Sequence, residues 1–510
     1  MASKTESRTG DEGTADSLRE AASGLLASFE SGDPEAIEAE TEAFLKNARP
    51  PLDLLMLFSK LTEKANAPAA TAKIYEHLLR LNPVLPNMHR KLGQLQLAGG
   101  QRGAAMRTLN TAIKVDAGDL AARKSLAGLL VDLGRFDEAR RHYQTCTETA
   151  PQDAESWLLL GHCCCIGARR EEGIEAFDTA IGIDPDLVEA HVGKARALLA
   201  IGDFTGGWPE YNWRPGGFPK DARGRRVTAI RSFAGKRVLL AEEESIGRTL
   251  LGLRYAPLLR EAGARVTLSV NRSYMRLLLD SDLADDMVEP GETDEEFDFV
   301  MKLLSAAAFL RTGQGPQPLA SGYITPGPRL RTVHPDRMKV GIALGSGPDG
   351  QDNPIPVARL REILTMEAPV EFVSLENSGK EDFGNISWTS GRIAFPQVDL
   401  DDPRNLAEMI SGIDLVIAAG GPVAHMAGAM GVRCWLILPV NADWVWGAEG
   451  DRTPWYNSIR IFRQTVPGRW SRPLELARKS LQTLAFVTND PAMTIDRRPG
   501  VKAPAGGDRK

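Results

Sequence analysis

Apolar positions return on two different rhythms along this chain. From about Ser17 to Arg214 they follow helical spacing inside a longer period. Pro83, Ala117, Pro151 and Pro185 stand 34 residues apart, as do Leu92, Leu126 and Leu160. The small positions Gly93/Ala127/Gly161/Ala195 and Gly100/Gly134/Ala168/Gly202 keep the same interval, and so do the large ones, Tyr75, Leu109, Tyr143, Phe177 and Tyr211. Such a period predicts a pair of antiparallel helices per repeat. Small residues in both columns are expected to let the two helices approach closely, the large column to fill the space between them, and proline to end the second helix. An earlier unit, Pro50 to Asn82, keeps Phe58 and Tyr75 in register, and helical material from Ser17 to Lys46 caps the stack.

With three full repeats from about residue 84, the pattern resembles the tetratricopeptide repeat. Solenoids of this kind hold an extended peptide or another protein on their concave face, or brace the rest of the chain. His162, Cys163, Cys164 and Cys165 lie on one predicted helix. Consecutive helical residues point in different directions, so these four read as packing residues and not as one metal site.

The second rhythm is strand, turn, helix. Arg237–Ala241 (RVLLA) predicts a strand, EEESIGRT a loop, Leu250–Ala262 a helix and Arg265–Val270 the next strand. That is a βαβ unit with a parallel pair. A second series runs from Lys339–Leu344 through Pro356–Leu364, Glu371–Leu375, Pro403–Ile410, Asp414–Ala418 and Val423–Met430 to Cys434–Leu438. Two such series predict two Rossmann-like domains facing a cleft, with ligands at the carboxyl ends of the strands.

Composition narrows the class. The chain has 510 residues, 43% hydrophobic and 25% charged, which suits a multidomain globular protein. No run is long and apolar enough for a transmembrane segment, and the first twenty residues lack the apolar core of a signal peptide. Five cysteines in this length make no disulfide framework, so a reducing, cytoplasmic location is expected. Net charge is −6, which argues against a nucleic-acid binder. Met1–Arg49 carries eleven Asp/Glu against five Lys/Arg, while Pro215–Arg237 has seven Lys/Arg and one Asp. The basic segment reads as a solvated linker, with contact to phosphate or an acidic partner as the alternative.

Two small-residue turns stand where strands should end. Gly345-Ser346-Gly347 follows the first strand of the second series, and Gly420-Gly421-Pro422 opens a helix directly. Glycines at a helix start let backbone amides reach an anion, though they also serve ordinary turns. His425, in the first turn of that helix, is placed either to hydrogen-bond a phosphate or sugar hydroxyl or to pack. Asn441–Trp470 holds four tryptophans with Asp443, Asp451, Arg460 and Arg463 interleaved. This suits a site that stacks a base or sugar, or a segment that clamps two domains.

The ordered set GW-x-x-Y-x-WR (from Gly207), RYAPLLREAGARV, VSLE, VAHMAGAMG, DWVW and PWYNSIRIFRQ resembles bacterial proteins that fuse tetratricopeptide repeats to a glycosyltransferase-like domain. That domain is related to the lipopolysaccharide heptosyltransferase family, of GT-B architecture. The resemblance covers about residues 70 to 485. It implies an amino-terminal Rossmann-like domain presenting the acceptor and a carboxy-terminal one binding a nucleotide-sugar donor. Carried over, the donor side comprises Gly345, Ser346, Ser374, Glu376, Gly420, Gly421, His425, Asp443, Trp444 and Arg463. No metal and no cofactor beyond the donor substrate is implied.

The chain departs from that family where chemistry concentrates. The family's first loop reads E-Q-G-L-G-D, with the acid as general base. Here the loop is Glu243-Glu244-Ser245-Ile246-Gly247-Arg248, and an arginine cannot act as that base. The family's donor turn reads D-T-x-x-A-H-L-A-G-A, but here the Asp and Thr are Gly420 and Gly421. Its Asn/Asp-Arg-Ser stretch has become Gln351-Asp352-Asn353-Pro354. Glu243 or Glu244 could replace the base, and Arg248 could hold an anionic ligand. Two readings follow. One is a glycosyltransferase acting on a protein or surface-glycan acceptor recruited by the repeats, and the other is a catalytically degenerate transferase serving as an interaction scaffold. The expected layout is an α-solenoid followed by a GT-B-like pair of α/β domains. It comprises a tail (1–16), solenoid (17–214), basic linker (215–235), two Rossmann-like domains (236–335 and 336–486) and a second tail (487–510).

Overall fold

The computed structural model describes residues 22–30, 32–47, 50–293, 295–310, 322–325, 337–344, 355, 357–377 and 393–488. The chain divides into two compact units, Met1–Gly167 and Ala168–Lys510.

The first unit is helical: α1 (22–30), α2 (Pro34–Asn47), α3 (Leu52–Lys64), α4 (Pro68–Leu81), α5 (Met88–Ala98), α6 (Arg102–Val115), α7 (Leu120–Asp132), α8 (Phe136–Thr149) and α9 (Ala154–Ile166). The second helices of successive pairs end at Leu81, Val115 and Thr149, 34 residues apart, each two residues before the Pro83 column. The large column is core, with Tyr75, Leu109 and Tyr143 at most 3% exposed. The two small columns do different work. A Cβ on Gly93 would stand 2.7 Å from the Leu109 side chain, so that column sets how closely α5 and α6 approach. Gly100 and Gly134 have no neighbour within 4 Å of such a Cβ but sit at φ +72°, the left-handed turn between the helices of a pair. This corrects the single explanation given to both columns from sequence. Cys163 and Cys164 are buried in α9, and burial pushes the Cys163 thiol up to about 12, so it is an inert packing group.

The second unit opens with three more helices, α10 (Arg170–Ile183), α11 (Val188–Ile201) and α12 (Phe204–Tyr211). Two sheets follow. The first contains β1 (Lys220–Asp221), β2 (Arg237–Ala241), β3 (Arg265–Ser269), β4 (Asp286–Val288) and β5 (Phe299–Lys302) in the order β1-β5-β2-β3-β4, parallel except for β1. The second contains β6 (Met338–Ala343), β7 (Val370–Ser374), β8 (Ile393–Ala394), β9 (Leu415–Ala418), β10 (Cys434–Leu438) and β11 (Ile459–Arg463). Its order is β11-β10-β9-β6-β7-β8, parallel throughout. Read from the other edge, the strands run 3-2-1-4-5-6, the order of a doubly wound sheet whose switch point lies between β6 and β9.

Around these sheets lie α13 (Ile246–Gly252), α14 (Tyr255–Glu261), α15 (Arg272–Leu278), α16 (Arg361–Leu364), α17 (Pro403–Ser411), α18 (Gly421–Ala429) and α19 (Ser471–Thr488). One helix was expected over Leu250–Ala262. It starts earlier because the Ser245 hydroxyl caps α13 by accepting from Arg248 N, and it breaks near Arg254, whose Nε donates to the Leu251 carbonyl at 3.1 Å. The basic segment expected to be a solvated linker is partly held: β1 pairs with β5, and the Arg226 guanidinium lies over the Phe218 and Trp213 rings. Strand β11 falls inside the Trp-rich stretch, where the sequence pattern predicts a binding or clamping segment and no strand.

The main core of this unit is continuous. It joins Ala195, Leu199, Trp208 and Tyr211 of α11 and α12 to Val238, Leu240 and Leu268 of the first sheet and to Val416 and Leu436 of the second. Trp208 meets Tyr211, Tyr255, Trp444 and Trp455 edge-on, with ring centroids 5.7–6.1 Å apart. The last helical pair is therefore part of the α/β core.

Candidate functional site

At the carboxyl ends of β2 and β9 the second unit forms an open cavity of about 380 Å³. Its wall comes from four places: α11 (Val192, Arg196), the end of α12 (Tyr211, Arg214), the turn after β2 (Glu244 to Arg248), and the turn after β9 with the loop after β10 (Gly421, His425, Asp443, Trp446). Of the residues singled out from sequence, Glu244, Arg248, Gly421, His425 and Asp443 thus converge on one space.

The two adjacent glutamates have separate fates. Glu243 is wholly enclosed. Arg214 donates to both its carboxylate oxygens at 2.9–3.3 Å, and Leu304 N donates to Oε1 at 2.7 Å. Arg214 is itself held by the Tyr211 carbonyl and by Ser305 Oγ, with its guanidinium 4.5 Å over the Tyr211 ring. A carboxylate saturated in this way ties the last helices to the first sheet and is not offered to the cavity. Glu244 stands on the cavity wall, 55% exposed, paired with Lys302. Burial works to raise its pKa, but the Lys302 hydrogen bond and charge outweigh that and hold it below the ordinary value.

Arg248, in the first turn of α13, donates to Asp443 Oδ2 at 2.5 Å and lies 4.7 Å over the Trp444 ring. Burial opposes both charges. The Asp443 carboxylate nevertheless raises the arginine further, and the arginine holds Asp443 below its usual range. Arg248 Nη1 is buried with no hydrogen-bond partner among the described residues. Asp443 also caps the short helix Trp444–Trp446, accepting from Val445 N at 3.0 Å. Trp444 is buried beneath this pair, and Arg463 lies outside the cavity wall, donating to the carbonyls of Trp446 and Gly447 at 3.0 Å.

The turn into α18 explains its glycines. Gly420 has φ +118° and Gly421 φ +72°, which side-chain-bearing residues rarely adopt. The glycines therefore shape the backbone where the helix starts. His425 follows one turn later, 7% exposed, its Nδ1 2.9 Å from Tyr456 Oη. Burial and then the positive charge of Arg248 push it down to about 3, so the ring is neutral at ordinary pH.

Ser374 and Glu376 lie beyond the cavity wall, at the end of β7, where the Ser374 hydroxyl donates to the Glu376 carbonyl and the Glu376 carboxylate accepts from Leu344 N. Gly345, Ser346 and Gln351–Pro354 lie outside the described residues. Sequence reasoning missed Arg196, Arg214 and Tyr456. The last two carry a signal after all, since they belong to the GW-x-x-Y-x-WR and PWYNS motifs. Among the described residues no group of His, Cys, Asp and Glu is arranged to hold a metal ion, and no helix is long and apolar enough to cross a membrane.

The tetratricopeptide repeat family profile matches residues 97–163. Among solved structures, the chain is similar to MamA (41-end) from Desulfovibrio magneticus RS-1 at 19% identity, over 29% of this chain and 84% of that one, TM-score 0.28. It is similar to YrrB, described as a TPR protein with an unusual peptide-binding site, at 17% identity over 29% and 76%, TM-score 0.27. It is also similar to TTC0263, a thermophilic TPR protein in Thermus thermophilus, at 17% identity over 32% and 88%, TM-score 0.27. A search of curated proteins finds no match. The amino-terminal region is thus a tetratricopeptide-repeat module of the protein-interaction type, and a sheet-containing region follows it.

Proposed function

We propose that the protein couples a tetratricopeptide-repeat interaction module to a GT-B-like α/β pair that binds a nucleotide-sugar-type diphosphate without transferring its sugar. One observation carries this reading. The cavity offers donors suited to an oxyanion, namely the α18 start, His425 and Arg248, while each nearby carboxylate is already engaged. Glu243 is enclosed by Arg214, Glu244 is paired with Lys302, and Asp443 is paired with Arg248. Sugar transfer needs a free base within reach of the acceptor hydroxyl, worth roughly 10²–10⁴ in rate.

A second reading, active glycosyl transfer to a recruited protein or surface-glycan precursor, rests on Glu244. It is half exposed on the cavity wall and would serve as base once released from Lys302. On either reading the protein works in the cytoplasm, where its five free cysteines stay reduced.

Calorimetric titration with UDP, GDP, ADP and CMP, with and without Mg²⁺, followed by incubation with the matching nucleotide sugar, tests both. Micromolar binding of one nucleotide, weakened by His425→Ala and with no nucleotide released from its sugar, is the expected result. Release abolished by Glu244→Gln would establish the transferase instead. No binding at millimolar nucleotide would overturn both and leave the repeats as the seat of function.

A further inference from the structure

The aromatic cluster behind His425 has more polar structure than packing requires. Arg254 is 1% exposed, and no carboxylate pairs with it among the described residues. It is held by the Leu251 and Trp455 carbonyls and by Tyr323 Oη, with its guanidinium 4.9–5.4 Å from the ring centres of Tyr323, Trp455 and Tyr456. Tyr323 spends its own hydrogen on the Leu250 carbonyl at 2.8 Å, and its oxygen accepts from Arg254. The Tyr456 hydroxyl interacts with this cation and with the Tyr323 hydroxyl, and His425 Nδ1, 2.9 Å away, is the second acceptor open to its hydrogen. Gly247 lies against the other edge of the imidazole, and a side chain there would cover it: its Cβ would stand 2.7 Å from His425 Cδ2 and 3.1 Å from Nε2. His425 and Gly247 both line the cavity.

We infer that Tyr456 donates its hydroxyl hydrogen to His425 Nδ1 and so fixes the imidazole as the Nε2–H tautomer, which gives the cavity an uncharged donor for an oxyanion. Tyr456 is a positioning residue: it touches the imidazole and acts on a ligand through it. The charged groups around the ring agree with this. Arg248 on α13 and Arg254 ahead of α14 both disfavour an imidazolium, and Asp443, the anion that acts on the ring among the described residues, is spent on Arg248. The oxyanion half of the inference rests on the ligand reading above, but the tautomer half does not.

Two measurements on the full chain separate the halves. Long-range proton–nitrogen correlation spectra of histidine-labelled protein, with His425→Gln to assign the signal, read the tautomer directly. A protonated Nε2 and a bare Nδ1 are expected. A protonated Nδ1 would mean that Tyr456 gives its hydrogen to Tyr323 instead, and the inference would be wrong. Tyr456→Phe keeps the ring that packs on Gly428 and removes only the hydroxyl. It should release the tautomer preference and weaken binding of inorganic pyrophosphate about three- to ten-fold, the scale of one hydrogen bond. Unchanged affinity with a changed tautomer would sink the oxyanion half. If the unmodified protein ignores pyrophosphate, the ligand reading and the oxyanion half fall together, and the tautomer spectrum still decides the remainder.

Discussion

In the first unit, the polar contacts between helix pairs recur at close to the repeat interval. Lys73 reaches Glu38, Arg90 reaches Asp119, and Lys124 reaches Asp153, over 35, 29 and 29 residues. In the second unit, Arg248 meets Asp443 over 195 residues, and Arg254 meets the Trp455 carbonyl over 201. A periodic contact is one of many equivalents, and losing one leaves its neighbours intact. A buried contact across two sheets has no equivalent. The repeats therefore tolerate polar change, whereas the cavity wall depends on single pairs.

Arg214 puts the largest strain on that contrast. Arg214→Met leaves the Glu243 carboxylate buried without its counter-ion, at an expected cost of about 3–5 kcal/mol. The double variant Arg214→Met/Glu243→Leu should recover most of the loss, since the charge and its partner disappear together. Lys124→Met, the corresponding change in the repeats, should cost at most about 1 kcal/mol, because its partners Asp153 and Glu155 are 32% and 66% exposed and rehydrate. Denaturant unfolding of all three variants decides the matter. Equal losses at positions 214 and 124 would break the comparison.

The same contrast governs what could be read from the chain. The repeat columns, strands β2, β3, β6, β7, β9 and β10 and the turn at Gly420 were legible because each is a local pattern, whereas the short strands β1, β4, β5 and β8 and the edge strand β11 were not. Arg214 and Tyr456 were visible only as letters within motifs, since their roles come from partners that another segment supplies. Glu243 and Glu244 show the limit most clearly. Neighbours in sequence with the same chemistry, they differ because the turn after β2 sets one against Arg214 and the other on the cavity wall. The two small-residue columns are a smaller case: the 34-residue period showed that both positions take a small residue, but only the backbone showed why.

Those columns sharpen the comparison inside the repeats. Gly93→Ala forces its new methyl to 2.7 Å from Leu109, and an expected cost of about 1–3 kcal/mol follows from overpacking. Truncating the opposing residue should relieve it, so Gly93→Ala combined with Leu109→Ala should be less destabilised than the two single losses added together. Gly100→Ala meets no neighbour and suffers only from its φ of +72°, about 1–2 kcal/mol, which Leu109→Ala cannot relieve. Additivity in both pairs would show that the small columns share one purpose after all.

The finest difference is the response to acid. His425 is held down at about 3 in the folded protein against an ordinary value of 6.5, so the unfolded chain takes a proton across that interval which the folded chain refuses. Its neutral burial therefore contributes fully above pH 6.5 and is lost progressively as pH falls toward 3, by at most about 1.4 kcal/mol per pH unit. Asp443 and Glu244 are lowered instead from 3.8 and 4.5, so their contributions fade only below those values. Between pH 6.5 and 4.5 the imidazole thus acts without them. His77 and His142 in the repeats are also lowered by burial, but they titrate identically with or without His425. The melting temperature of the unmodified protein should fall more steeply over that window than that of His425→Gln, with the difference confined to the transition of the second unit. Parallel curves would mean that the folded protein accepts the proton. His425 would then be an ordinary titrating histidine, and the cavity would present a charge where a fixed neutral donor is expected.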